Sequence, residues 1–184
     1  HHRIDPRRLY NTIYTSIENP TLVIENKVLY TRYLHPPIPG FIIEESSHPF
    51  PTLRVRPDVD DSMDISIVCY GGMLEIVEQA VARAFDDYEI SCEIICPSLI
   101  SPLDITPMID SVKKTKRLLV IEEGNSIGGF GSEISSQLLT KNISLTAFKS
   151  VGFNDIIPCA FSAESNLLPN QDSILKLIES LNEQ

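Results

Sequence analysis

DISIVCYG (64–71), MLEIVEQAVARAFDDY (73–88) and SCEIICP (91–97) follow one another with almost nothing between them. The first stretch is an apolar run that suits a strand buried on both faces. The second has helical spacing, with Leu74, Val77, Val81, Ala84 and Tyr88 on the inward side and Glu75, Glu78, Arg83 and Asp86 outward. The third returns to a β-branched, cysteine-containing strand. Downstream the alternation continues. Asp104 and Pro107 open a helix that runs to about Thr115, with the acid as cap and the proline in the first turn. RLLVIEEG (117–124) reads as a strand, GFGSEISSQLLTK (129–141) as a helix and LTAFKSVG (145–152) as a strand. Asp172 caps a last helix carrying Ile174, Leu175, Ile178 and Leu181. Strand–helix alternation of this kind predicts an α/β fold, a three-layer sandwich whose mainly parallel sheet has helices on both faces. Cys69, Ile94, Val120 and Phe148 are its expected core.

The front of the chain is less regular. Residues 5–18 have Leu9, Ile13 and Ile17 at fourfold spacing, a short amphipathic helix ended by Asn19-Pro20. TLVIENK (21–27) has the β-branched run of a buried strand. Residues 35–63 then lose any period: six of the 13 prolines lie between 35 and 61, with two histidines and the acidic DVDD. That stretch reads as a linker on the surface, with FIIEE (41–45) able to form a short strand.

Composition narrows the function. The 184 residues include 15 basic and 25 acidic side chains, a formal charge of −10, with 42% hydrophobic and 22% charged residues. Such a balance suits a soluble, cytoplasmic globular protein and lacks the basic stripe of a nucleic-acid binder. No apolar run approaches the roughly 20 residues of a membrane span, and no signal peptide opens the chain. Cys69, Cys92, Cys96 and Cys159 lie in apolar company without a C-x-x-C pair, so buried free thiols are expected before a metal site or disulfide. Histidines stand only at 1, 2, 35 and 48, and His1-His2 fit either a native pair or a tag remnant.

Three motifs bear on chemistry. Gly124-Asn125-Ser126-Ile127-Gly128 spells G-x-S-x-G between a strand and a helix, yet the histidine of that hydrolase motif should follow the serine and none does. Gly128, Gly129 and Gly131 open a helix and could cradle phosphate. Ile134 stands where the dinucleotide fingerprint needs glycine, which leaves tight turning and close packing as the better account. Gly71-Gly72 reads the same way. Glu122-Glu123 ends a strand; adjacent residues there point to opposite faces, so the pair suits a loop cap or an intersubunit ion pair and not a carboxylate dyad. Lys113-Lys114 with Lys116-Arg117 sits at a helix C-terminus, where cations suit the dipole, and offers a contact for an acidic partner.

In order along the chain, NPTLVIENKVLY (19–30), DISIVCYGGM (64–73), SPLDITPMIDSVKKTKRLLVIEEG (101–124) and GGFGSEIS (128–135) resemble the beta subunit of 2-oxo acid dehydrogenases. These are the thiamine-diphosphate-dependent decarboxylating components of the pyruvate and branched-chain (2-oxoisovalerate) complexes. The resemblance implies a transketolase-type C-terminal domain over 64–184, with 1–34 as the tail of a pyrimidine-binding domain and 35–63 between them. It also implies that the glutamate activating the thiamine ring lies upstream of this chain. Thiamine diphosphate and Mg would then belong to the full enzyme, with no catalytic, cofactor or metal residue in this portion. The implied partners are an alpha subunit, a second beta subunit and the dihydrolipoyl acyltransferase core, met through Gly129, Gly131, Ser132, Ser135, Glu123, Lys113 and Lys114. The chain departs from the family where Cys96-Pro97-Ser98-Leu99-Ile100 replaces D-L-R-T-L and where P-L-G-K-A is missing; Asp155-Ile156-Ile157-Pro158 keeps the F-x-D-x-x-P outline. Two rivals share the pattern: another thiamine enzyme with this terminal domain (transketolase, deoxyxylulose-phosphate synthase, 2-oxo acid ferredoxin oxidoreductase), and a non-catalytic α/β module holding a small anion at the glycine loops.

Overall fold

A computed structural model describes residues 1–34, 36–59, 62–154, 156 and 167–184. Cys159, His35, Asp60, Asp61 and most of the Asp155–Pro158 outline lie outside them. Six strands form one sheet: β1 (Phe41–Glu45), β2 (Thr52–Pro57), β3 (Ile65–Cys69), β4 (Cys92–Pro97), β5 (Arg117–Asn125) and β6 (Ala147–Phe153), in the order β1-β2-β4-β3-β5-β6. β3, β4, β5 and β6 are mutually parallel, and β2 pairs antiparallel with both β1 and β4. The helices are α1 (Pro6–Ser16), α2 (Met73–Tyr88), α3 (Thr106–Thr115), α4 (Phe130–Thr140) and α5 (Gln171–Asn182).

The three layers follow from the strands' two apolar faces. One face of the sheet (Ile65, Ile67, Cys69, Ile94, Leu119, Ile121) packs on Leu74, Val77 and Val81 of α2 and on Ile174, Ile178 and Leu181 of α5. The other (Val68, Ile95, Leu118, Val120) packs on Met108 and Val112 of α3 and on Phe130, Ile134 and Leu138 of α4. A strand buried on both faces meets no solvent, which is why β3 reads ISIVC, with its one polar side chain, Ser66, bonded to Ser111 and Thr115 of α3. Both α2 and α3 end on a residue in the left-handed region, Glu89 and Lys116, whose backbone N–H groups return to Ala84 and Val112.

Several expectations are corrected. FIIEE forms β1 as expected, but the stretch expected as a linker also carries β2, in which Leu53 and Val55 enter the core while Arg54 and Arg56 alternate outward. TLVIENK forms no strand, and Leu22 and Ile24 are exposed, because among the described residues no neighbouring strand takes their backbone hydrogen bonds. Glu78 is buried and Tyr88 half-exposed, the reverse of the helical reading: Glu78 meets charged residues from the start of the chain, and Tyr88 falls at the helix's last turn. Phe148 lies 40% exposed on β6, which has β5 on one side only. Asn170, not Asp172, caps α5, through a reciprocal bond with Ser173.

Candidate functional site at the carboxyl edge of the sheet

From β4 the chain crosses back over β3 to reach β5, so the strand order reverses between β3 and β5. In open α/β sheets ligands settle in the crevice outside the carboxyl ends of strands at such a point. Here that crevice is bounded by Tyr70, Gly71 and Gly72 after β3 and by Glu122, Glu123 and Gly124 at the end of β5.

Glu122 and Glu123 point apart, as adjacent strand residues must. The Glu122 carboxylate is fully buried and turns toward α4: Phe130 N–H donates to its Oε2 at 2.9 Å and Gly131 N–H to its Oε1 at 3.1 Å. Ser150 Oγ approaches the same Oε1 at 3.5 Å. The first N–H groups of a helix lack partners within the helix and carry the positive end of its dipole, so they form a ready anion site. The chain fills it with its own side chain. Glycine is needed for the fit: a Cβ on Gly129 would lie 2.6 Å from Glu122 Oε2, and one on Gly131 would lie 2.7 Å from the Cβ of Ser150.

Glu123 faces the other way and accepts from Asn26 Nδ2 at 3.0 Å, which ties the front segment to the sheet edge. Asn26 also accepts from Val28 N–H, capping a short 3-10 turn, Lys27–Thr31. Burial raises the Glu123 carboxyl above the usual range, and the Asn26 amide only partly offsets it. Tyr70 is raised as well, by burial and then by the charges of Glu122 and Glu123. A Cβ on Gly72 would come within 2.7 Å of Glu123 Oε1, so this glycine gives the front segment room.

The switch point is thus packed with the chain's own polar groups. The Phe130 and Gly131 N–H groups of α4 are already engaged by Glu122 and are not open to a bound anion. Among the described residues, no group of three or more His, Cys, Asp or Glu side chains could hold a metal ion. Ser126 of the G-x-S-x-G motif donates to Asn154 Oδ1 and pins the loop after β5 to the end of β6. No helix of the described residues is long and apolar enough to cross a membrane.

Of the residues expected to meet other subunits, Gly129 and Gly131 are used inside the domain, and Ser135 is half-buried, donating to the Ser132 carbonyl. Ser132, Lys113 and Lys114 are exposed. Lys114 shares a shallow concavity with Arg54, Arg56, Met63, Glu93, Ser111 and Thr115. Sequence reasoning missed the buried cluster at the chain's start, where Glu78 accepts from Arg3 Nε at 2.6 Å and Nη2 at 3.0 Å and meets His2 Nε2 at 3.1 Å. Nothing in an isolated His-Arg pair marks it as buried. At the front, Tyr14, Leu22, Ile24 and Tyr33 are each more than four-fifths exposed.

Comparison with known proteins agrees with this layout. Residues 55–174 match the family model "Transketolase, C-terminal domain". The chain is 26% identical over 167 residues to the pyruvate dehydrogenase E1 component subunit beta of Rickettsia felis, covering 89% of this chain and 48% of that protein. It is 29% identical over 180 residues to the 2-oxoisovalerate dehydrogenase subunit beta 2 of Arabidopsis thaliana, covering 95% of this chain and 48% of that one. The chain therefore spans about half the length of these curated relatives. Among solved structures, a split gene transketolase described as an inactive beta4 tetramer superposes with a TM-score of 0.59 at 19% identity, covering 67% of this chain and 40% of that one.

Proposed function

Because this chain belongs to the transketolase C-terminal domain family, we propose that it is the C-terminal portion of a 2-oxo acid dehydrogenase beta subunit, serving subunit association. The parent enzyme would carry out thiamine-diphosphate- and Mg-dependent oxidative decarboxylation of pyruvate or a branched-chain 2-oxo acid. The observation that carries this reading is the likeness, over nine-tenths of the chain, to proteins named as beta subunits of pyruvate dehydrogenase. With Glu122 engaging the first N–H groups of α4 and Asn26 bonded to Glu123, this reading assigns thiamine diphosphate and catalysis to other parts of the assembly. The same engagement of Glu122 disfavours a small-anion-binding module.

Residues 1–34 act in this reading as the tail of the pyrimidine-binding domain. Their exposed Tyr14, Leu22, Ile24 and Tyr33 are large apolar side chains left for an association surface to cover. The exposed Lys113 and Lys114, the latter beside Arg54 and Arg56, and, separately, the exposed Ser132 at the start of α4 offer contacts to a second beta subunit, an alpha subunit or an acidic face of the dihydrolipoyl acyltransferase core.

Co-expression with the alpha subunit and acyltransferase encoded in the same genome tests the proposal. Co-purification through gel filtration is the expected result. Failure to retain either protein under conditions where the chain is folded would overturn it.

A further inference from the structure

β3 and β4 run parallel with Ile67 opposite Ile94 and Val68 opposite Ile95, which puts Cys69 opposite Cys96 at the next step. Both side chains point into the α2–α5 layer and neither has any exposed surface. Neighbouring strands lie about 4.8 Å apart, within the Cα separation of about 4.4–6.8 Å that a disulfide spans. The two thiols are unlike. Cys69 is pushed well up by its hydrogen bond with Cys96, then by burial. Burial opposes ionisation of Cys96 too, but the Cys69 thiol and the neighbouring His1 ring outweigh it and bring Cys96 down to about 6. His1 Nδ1 accepts from Arg3 N–H at 3.3 Å, while its buried Nε2 has no hydrogen-bond partner.

We propose that Cys69 and Cys96 form an oxidation site that closes to a disulfide on reaction with a hydroperoxide. The inference is independent of the dehydrogenase reading. Cys96 thiolate attacks the peroxide: an S–O bond forms, the O–O bond breaks, and the leaving oxygen departs as water or an alcohol after taking a proton. The Cys69 sulfur then attacks the Cys96 sulfur, forming S–S and breaking S–O, and water leaves with the Cys69 proton. Two thiols and one hydroperoxide become one disulfide, one alcohol or water, and one water. A small oxidant is required because the thiols lie beneath the chain's first residues, which Glu78 holds through Arg3 and His2. Cys92 supplies the contrast: it is just as buried, lies opposite Ile65, and is raised by burial and by Asp64.

The test is thiol mapping of the folded chain after treatment with hydrogen peroxide. The reacted protein is denatured, alkylated with N-ethylmaleimide and digested without reductant. Two of the four cysteines should escape alkylation, in a linked peptide pair joining Cys69 to Cys96, and dithiothreitol should restore both. Cys92→Ser should leave the linkage intact. Four alkylatable cysteines after treatment, or a linkage through Cys92 or Cys159 instead, would overturn the proposal. The linked peptide pair and its reversal by dithiothreitol are read on the unmodified chain, so the proposal does not depend on the Cys92→Ser variant folding.

Discussion

Glu122 takes the place at α4 that a bound anion takes in other open sheets, and the energetic consequence is local. Glu122→Ala leaves the Phe130 and Gly131 N–H groups buried without acceptors, at about 1–3 kcal/mol, while Glu122→Gln keeps one acceptor and costs less; urea unfolding midpoints separate the two. Glu78 makes a second, pH-dependent claim. Burial disfavours its charge, but the bonds from His2 and Arg3 outweigh burial and hold its carboxyl below the ordinary range. A carboxyl lowered by folding contributes stability that is complete above its unfolded pKa and is lost as pH falls through the folded one. Unfolding midpoints should therefore drop on acidification below about pH 4.3, and Glu78→Gln should flatten that decline. Glu123 has the opposite sign: its raised carboxyl costs stability as pH climbs past the usual carboxylate range, and Glu123→Gln should not destabilise the chain at neutral pH. The role of Glu122 is legible in the sequence, since two adjacent acids ahead of a glycine loop suggest a cap. The burial of Glu78 is not, because an acid at that helix position reads as solvated until the partner arriving from residues 2 and 3 is known.

At the scale of elements, the parallel strands announce themselves through unbroken apolar runs, and the period of α2 marks out its residues. β2 is hidden by its prolines: Pro51 and Pro57 flank T-L-R-V-R, and an edge-like alternation with two arginines resembles a surface linker. In place, Leu53 is buried in the same layer as α2, and β2 covers the side of β4 that β3 leaves open. Leu53→Ala should then cost about 2–5 kcal/mol, the range of a core truncation, whereas a linker residue would change the unfolding midpoint little. Gly131→Ala tests the other end of the sheet. Its Cβ would press on Ser150, and the backbone must shift to admit it, so a loss of about 1–3 kcal/mol is expected. The misread strand at 21–27 has a converse cause: its β-branched residues carry strand propensity, but propensity needs a neighbouring edge to act on.

For the whole molecule, the proposal treats this acidic α/β domain, with exposed apolar side chains in its front segment, as a building block. Leu22 and Ile24 touch little of the domain, so replacing both with lysine should change stability by less than about 0.5 kcal/mol while weakening co-purification with the partner subunits. Retention equal to that of the unaltered chain would move the contact elsewhere, to the Lys113–Lys114 side. The fold class is legible because alternation is a property of the whole chain; the exposure of Leu22 and Ile24 is not, because an exposed apolar run and a buried one look alike in sequence. The claim on which the account turns is that cofactor is held by other parts of the assembly while this chain contributes contact surface. Titration calorimetry of the folded chain with thiamine diphosphate and Mg addresses it directly. The account predicts no binding in the micromolar range; a Kd at or below micromolar, about −8 kcal/mol or stronger, would contradict it.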